Sequence, residues 1–301
     1  MRRSLFGVLA LAFILGLATG ASAHIGDTVY LFFEIPDADV ADIDLKDGSV
    51  DDWLDVVGDP SVDATDFFAD PGVGDGAPYD PADMDYEIWF GWNESTGTLW
   101  GAMQRTDDVY INEYAGGDLG DLWRWDSTIE FMFDADHTGG EYGFNTSNCE
   151  GCSEEEINLI NNKQAQQFTA ISEAPDGKTV GYQGKAQEWY LSLPYTDGGG
   201  GASGDAPVLS VTEFMVTPGD EIIYNDEDAS VFSTLMTGTV VGFQISVPDW
   251  DVAGTYHAFH TLTGQEATWR FAERFADARL VGGTGGTAVE ENSWGRIKAS
   301  F

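Results

Sequence analysis

The chain has 301 residues, of which 52 are Asp or Glu and 13 are Lys or Arg, so its formal net charge is −39. Such an acidic surface repels nucleic acid phosphates and anionic membranes, which argues against both as partners. The 10 Trp, 11 Tyr and 18 Phe residues supply enough apolar area for a core, which excludes a disordered chain. Net charge does not separate two explanations of the acidity, namely hydration in salty surroundings and binding of divalent cations.

The first 23 residues have the pattern of a cleaved signal peptide. Arg2 and Arg3 form a charged start, the apolar run 5–17 follows, and Ala-Ser-Ala at 21–23 supplies the small residues of a cleavage site. We therefore expect an exported protein, periplasmic, cell-surface or extracellular, whose mature chain begins at His24. No later segment has about 20 consecutive apolar residues, so no integral membrane span is expected.

Short alternating segments between Gly, Asp and Pro predict antiparallel β-structure along the mature chain. A strand at 86–92 places Tyr, Ile, Phe and Trp on one face, and a turn at 93–97 joins it to a partner strand from 99. Further strands are predicted at 129–133, 241–247 and 294–301. With strands near both ends and no linker, residues 24–301 are predicted to form one all-β antiparallel sandwich of jelly-roll type.

One helix and two loops interrupt this pattern. Ser153 and Glu156 form a capping box, and apolar residues at helical spacing follow, which predicts a short helix over 153–168. The glycine-rich stretches 198–201 and 282–286 are expected to be loops.

Six short motifs occur in a fixed order at 47–53, 86–92, 99–108, 125–134, 243–248 and 293–297. The first is Asp-Gly-Ser-Val-Asp-Asp-Trp, the fourth begins Trp-Asp-Ser-Thr-Ile-Glu, and the last contains Trp-Gly. In this order they resemble the family 9 carbohydrate-binding modules and their DOMON-like relatives. The resemblance implies a jelly-roll-like β-sandwich in which aromatic side chains clamp a sugar and calcium supports loops. Two insertions, around 137–190 and 197–235, depart from that pattern.

Trp123, Arg124 and Trp125 are the predicted carbohydrate-binding residues. Sugar rings present apolar C–H faces that stack on indoles, and a guanidinium donates hydrogen bonds to hydroxyls. The alternative is that one tryptophan lies in the core and the other covers a loop. On the first interpretation the chain is a non-catalytic protein that binds a polysaccharide or glycan.

Asp134 and Asp136 are the predicted metal ligands. They precede His137 and two turn glycines, and alternating acidic oxygens followed by glycines are typical of calcium loops. The stretch lacks the spacing of an EF-hand and its terminal Glu. An ordinary Asp-rich hairpin turn is the alternative.

Cys149 and Cys152 are the only cysteines in the chain. In an oxidising compartment a local disulfide is the expected state of such a pair. A zinc site would need two further ligands, and the neighbouring glutamates disfavour the thiolate that a redox role requires.

Two other classes of function stay open. Copper-dependent polysaccharide monooxygenases are secreted β-sandwiches that begin with His, so His24 could bind copper with His137, His257 or His260. A coincidental first residue is the simpler explanation. Haem-binding subunits of the DOMON type use Met, His or Lys as axial ligands, and Met132 or Met215 could serve. The sequence has no C-x-x-C-H haem attachment motif.

Overall fold

Most of the described chain lies in β-strands. A computed structural model describes residue 24 and residues 29–70, 72–74, 76–182 and 189–283. The two α-helices in these ranges are α1 (Asp51–Val56) and α2 (Glu154–Ile160). The strands are β1 (Val29–Glu34), β2 (Val62–Asp63), β3 (Phe68–Ala69), β4 (Met84–Asn93), β5 (Thr98–Asp107), β6 (Ile129–Asp134), β7 (Gln166–Ala170), β8 (Val180–Tyr182), β9 (Thr196–Ser203), β10 (Val208–Val216), β11 (Gly219–Glu221), β12 (Val231–Phe232), β13 (Val240–Asp249), β14 (Ala258–Thr261) and β15 (Ala276–Val281).

Thirteen of these strands form one sheet, in the order β8-β7-β6-β13-β15-β1-β4-β5-β10-β9. Strand β14 pairs with β13, β3 pairs with β14, and β2 pairs with β4, while β11 and β12 form a separate hairpin. No helix among the residues that the structure describes is long and apolar enough to cross a membrane.

The prediction of an all-β fold is confirmed, but the prediction of a purely antiparallel arrangement is wrong. Strand β1 runs parallel to both of its neighbours, β15 and β4. The other pairings within the sheet are antiparallel. Alternation of apolar residues indicates which positions of a strand are buried and carries no information on strand direction, so the mixed sheet was not visible in the sequence.

The sheet curves until its two ends face one another across a shared core. The rings of Phe131 on β6 and Phe214 on β10 are stacked with centroids 3.7 Å apart. At the edges, Thr179 Oγ1 donates a hydrogen bond of 2.6 Å to the carbonyl oxygen of Gly198 on β9. The main core therefore lies inside one strongly curved sheet, and smaller hydrophobic clusters and loops cover parts of its other face.

Strands β4 and β5 form the predicted hairpin, since they pair antiparallel from Met84–Asp107 to Asn93–Thr98. The prediction of a helix over 153–168 is wrong beyond residue 160, where α2 ends. Its capping box is present, but Asn162 has a φ of 55°, and residues 166–170 pair with β6. Pairing with a neighbouring strand outweighs helical periodicity in this short segment.

The glycine run 198–201 is also not a loop, because it lies inside β9 and pairs with β10. A Cβ atom on Gly200 would lie 1.9 Å from the carbonyl oxygen of Val211 on β10. The glycines therefore allow two backbones to approach closely. The predictions for 1–23, 284–286 and 293–301 lie outside the described residues.

The Asp-Gly-Ser-Val-Asp-Asp-Trp motif at 47–53 leads into helix α1, and its tryptophan anchors that helix to the sheet. Trp53 is fully buried, and its indole Nε1 donates a hydrogen bond of 2.7 Å to Glu213 Oε1 on β10. Burial raises the pKa of Glu213 to about 8, the indole bond opposes this rise, and the carboxylates of Asp52 and Asp47 add to it. Glu213 is therefore a neutral acid in the fold at physiological pH.

A second buried polar cluster joins β5, β13 and the segment before β6. Arg105 is fully buried and pairs with Asp107, with Asp126 Oδ1 at 3.2 Å and with Asp249 Oδ1 at 3.5 Å. Its guanidinium also donates to the carbonyl oxygens of Asp126 and, at 2.7 Å, Pro248. Burial raises the pKa of Asp126 to about 8 and that of Asp249 to about 6, against the opposing effect of Arg105.

Replacing Arg105 with Met should destabilise the fold by about 3–5 kcal/mol, because the three buried carboxyl groups around it would lose their charged hydrogen-bond partner. Chemical denaturation at neutral pH measures this difference. Arg279→Met is the matched control, since Arg279 is exposed on β15 and its loss should change stability by less than about 0.5 kcal/mol. Equal effects of the two substitutions would show that the buried cluster does not stabilise the fold.

The raised pKa of Glu213 predicts a pH-dependent loss of stability. Below pH 4.5 both the folded and the unfolded chain carry this proton. Between 4.5 and about 8 only the unfolded chain ionises, so the free energy of unfolding falls, and above 8 the loss is complete. Glu213→Gln should remove this contribution and stabilise the protein at pH 9 by about 2–4 kcal/mol relative to the original chain. Denaturation curves at pH 4 and pH 9 measure it, with exposed Glu94→Gln as the control that should show no such difference.

Candidate functional site

The predicted tripeptide does not present its two indoles together. Trp123 and Arg124 end a 3-10 helix (Leu119–Arg124), and Trp125 follows it with an extended backbone. Half-buried Trp123 lies beside Arg124, whose guanidinium carbon is 4.7 Å from the indole centroid. Trp125 instead packs into a separate cluster with Tyr114 and Ile171. The structure thus brings Trp123 and Arg124 together and places Trp125 elsewhere.

Trp123 belongs to an aromatic wall formed by Trp123, Trp250, Tyr256 and Phe259. The centroid of Trp123 lies 6.2 Å from that of Trp250 and 5.9 Å from that of Tyr256. Tyr256 in turn contacts Trp250 at 3.9 Å and Phe259 at 5.3 Å. The backbone of Trp250 is fixed because its N–H donates a hydrogen bond of 2.8 Å to Asp126, a member of the Arg105 cluster.

Next to this wall, four strands place polar side chains side by side on the face opposite the core. Glu130 on β6 lies opposite Thr169 on β7 and Ser246 on β13, and Ser246 lies opposite Thr261 on β14. Directly opposed residues in a sheet share a face and have neighbouring Cβ atoms. We call Thr169, Glu130, Ser246 and Thr261 the polar row. Phe259 is two residues from Thr261 on β14, so the aromatic wall borders the polar row.

The polar row is nearly dry and retains unused hydrogen-bonding capacity. Glu130 is only 5% exposed, and burial raises its pKa to about 8 although Gln167 Nε2 donates to its carboxylate at 3.2 Å. Within the described chain, Ser246 Oγ and Thr261 Oγ1 are buried without a hydrogen-bond partner. Buried hydroxyls normally have partners, so groups without one are typical of sites that bind ligands or ordered water.

On the side of β7, the polar row leads to a cleft of about 170 Å³ that we call the amide cleft. It is lined by Gly143, Phe144, Asn145, Asn161, Asn162, Gln167 and Trp269. The side chain of Trp269 is 41% exposed. The backbone next to it is held in place, because Tyr142 Oη donates a hydrogen bond of 2.9 Å to the carbonyl oxygen of Thr268. Gln167 connects the cleft to Glu130. An exposed indole beside several amides is a combination suited to a polar ligand with apolar faces.

Sequence reasoning did not identify Trp269 or the amide cleft. Trp269 lies in a loop between β14 and β15 without alternation, and the amides come from the insertion around 137–190. The sequence does contain one local indication of the cleft. Residues 161–167 are rich in Asn and Gln, and they lie in an insertion that departs from the family pattern.

A larger cleft, of about 560 Å³, lies where the two edges of the sheet meet. It is lined by residues around Lys178 and Thr179 on one side and Leu193 and Asp197 on the other. Among the residues that the structure describes, its lining contains no aromatic ring. The described lining therefore offers no aromatic surface on which a ligand ring could stack.

Asp134 and Asp136, the predicted calcium ligands, lie at the end of β6 and in the turn that follows. Buried Asp134 accepts hydrogen bonds from Gly139 N at 2.6 Å and Thr138 N at 3.2 Å. Asp136 accepts from the backbone and hydroxyl of Thr138 at 3.2 and 2.7 Å. The side chains thus stabilise the turn, and calcium binding at this loop stays a prediction.

The predicted disulfide between Cys149 and Cys152 is confirmed. The cysteines lie in the loop before α2, close to the amide cleft in sequence. Short local bridges of this kind restrict the loop in which they lie.

Among the histidines, the structure brings His24 and His137 together, with ring centroids 4.0 Å apart. His257 instead pairs with Asp83 and Asp251, and His260 contacts Tyr86 Oη. The two candidate haem ligands, Met132 and Met215, are buried in different hydrophobic clusters and are not brought to one site.

No protein-family model and no curated protein matches the chain. A family 9 carbohydrate-binding module from Caldicellulosiruptor kristjanssonii in complex with cellotriose is similar, with 12% identity, a TM-score of 0.49, and coverage of 88% of this chain and 99% of that one. Its glucose complex gives 11% identity, a TM-score of 0.49, and coverage of 87% and 99%. A candidate carbohydrate-binding protein from Bacteroides uniformis gives 12% identity, a TM-score of 0.42, and coverage of 85% and 100%. At this level of identity and overlap, the similarity does not establish the ligand or activity of this chain.

The unused hydroxyls of the polar row can be tested by comparing two buried serines. Ser246→Ala should change stability by less than about 0.5 kcal/mol, because no hydrogen bond among the described residues is lost. Ser61→Ala should cost about 1–3 kcal/mol, because Ser61 Oγ accepts the backbone N–H of buried Phe90 at 3.0 Å. Urea denaturation of both variants gives the comparison, and an equal cost would mean that Ser246 has a partner in the folded protein.

Proposed function

We propose that the protein binds a saccharide at the amide cleft and the aromatic wall, with the buried polar row between them. The observation that carries this proposal is Trp269, a 41% exposed indole beside an amide cleft that is joined to Glu130 through Gln167. On the other side of the row, Trp123 and Arg124 supply a second aromatic face and a cation. The ligand would contact both borders.

The chemistry of the site matches that of a sugar. A pyranose ring has apolar C–H faces that stack on indoles, while its hydroxyls both donate and accept hydrogen bonds. Asn145, Asn161 and Gln167 offer amides that do both. Glu130, whose pKa is raised to about 8 by burial, keeps a proton at neutral pH and can also donate one hydrogen bond. The site is therefore suited to a neutral polyhydroxylated ligand rather than to an anion.

Binding without catalysis is favoured by the composition of the polar row. Hydrolysis of a glycosidic bond normally uses two carboxyl groups placed on either side of that bond. In the polar row Glu130 is the single carboxyl group, and its neighbours are hydroxyls and amides. We therefore propose a non-catalytic role for the protein.

Two observations support a location outside the cytoplasm. The first 23 residues have the pattern of a signal peptide. The structure contains a disulfide, and disulfides persist in oxidising compartments and are rare in the cytosol.

The site can be tested by truncating its two indoles. A glycan array identifies the tightest saccharide, and calorimetry then measures its affinity for each variant. Trp269→Ala and Trp123→Ala should each weaken binding roughly 30-fold, or about 2 kcal/mol, as for a central aromatic contact.

Trp189→Ala is the matched control, because Trp189 is a half-buried indole that packs in a different cluster with Tyr195 and Phe232. Its affinity for the saccharide should equal that of the original chain. If both site variants retain full affinity while the control loses it, the saccharide binds at the Trp189 cluster and the proposed site is wrong.

A further inference from the structure

His24 lies over a row of three opposed residues at the other end of the same sheet face. Gly242 on β13 lies opposite Asp134 on β6 and also opposite Asp277 on β15. The imidazole of His24 occupies the space that a side chain at Gly242 would fill, since a Cβ atom there would lie 2.1 Å from His24 Cε1. The glycine therefore creates a socket between two carboxylates, and His24 fills it.

Each ring nitrogen of His24 faces one of these carboxylates. The distance from Nε2 to Asp134 Oδ2 is 3.0 Å, and that from Nδ1 to Asp277 Oδ1 is 3.3 Å. His137 reaches the same oxygen of Asp277 from its own side, with an Nε2–Oδ1 distance of 2.8 Å. One donor atom from each of His24, His137 and Asp277 lies within 4.8 Å of the other two.

Asp134 has a different role from Asp277, because it is fully buried and already fixed by the backbone N–H groups of Thr138 and Gly139. With its proton on Nε2, His24 donates to Asp134 and directs the lone pair of Nδ1 toward Asp277. A carboxylate that orients a histidine through its distal nitrogen is the usual partner of a metal-binding imidazole. Asp277 and His137 are partly exposed, at 20% and 26% of their side-chain areas, so an ion can reach them from solvent.

We propose that His24, His137 and Asp277 bind a divalent transition-metal ion such as Zn²⁺, with Asp134 as a positioning residue for His24. Two imidazoles and one carboxylate suit Zn²⁺ or Cu²⁺, whereas Ca²⁺ takes six to eight oxygen ligands. Tetrahedral Zn²⁺ places its ligand atoms about 3.3 Å apart, so only small side-chain movements are needed from the separations in the structure. The site is separate from the polar row and does not depend on the proposed saccharide binding.

The chain is treated with chelator, dialysed, and titrated with Zn²⁺ in a calorimeter, with Ca²⁺ in a parallel titration. We expect one equivalent of Zn²⁺ to bind and no comparable binding of Ca²⁺. His137→Gln removes one ligand at a partly exposed position and should weaken Zn²⁺ binding at least 10-fold. Asp134→Asn leaves all three ligands in place and should weaken it about 10- to 100-fold.

His257→Gln is the matched control, because it removes the imidazole of the second cluster, with Asp83 and Asp251, and should leave Zn²⁺ binding unchanged. Trp269→Ala should also bind Zn²⁺ normally, which separates this proposal from that of the saccharide site. Thermal unfolding of each variant without metal confirms that it is folded. Failure to bind Zn²⁺, or equal binding by His137→Gln and the original chain, would overturn the proposal and leave His24 as a protonated bridge between two carboxylates.

Discussion

The arrangement of the candidate site depends on one buried guanidinium. Arg105 is fully enclosed and joins Asp107, Asp126 and Asp249, so it links β5 to β13 and to the segment that precedes β6. Three carboxyl groups at 0–1% exposure share this one guanidinium, and breaking a buried ionic network by removing one member costs several kcal/mol. Because Asp126 also receives the backbone N–H of Trp250, the same cluster fixes the aromatic wall beside the polar row.

The sheet face opposite the core carries its functional groups in sequence along β13. At one end Gly242 makes the socket for His24, and further along Ser246 belongs to the polar row. The strand then reaches Pro248, whose carbonyl binds Arg105, and is followed by Trp250 of the aromatic wall. Gly242 and Ser246 of one strand, and Trp250 directly after it, therefore place the histidine socket, the polar row and the aromatic wall along a common support.

Local patterns in the sequence predicted the strands β4, β5, β6 and β13 well, because the alternation of side-chain types along a strand is a property of that strand alone. They did not predict the polar row, which exists only through the register of four strands, nor the meeting of His24 with His137. Trp123 was identified from its neighbours Arg124 and Trp125, but its assumed pairing with Trp125 failed because the two indoles pack in different clusters at the end of a 3-10 helix. The amide cleft was missed since loops and insertions have no periodicity from which a shared site can be read.

A crystal structure of the chain with the tightest saccharide from a glycan array tests the central claim most directly. The account predicts a sugar ring in contact with the indole of Trp269, hydrogen-bonded to Gln167 or Glu130, with Trp123 at its other border. A ring bound at another surface, with the polar row and the amide cleft left free, would contradict it. So would the absence of any bound glycan from an array on which the folded protein has been tested.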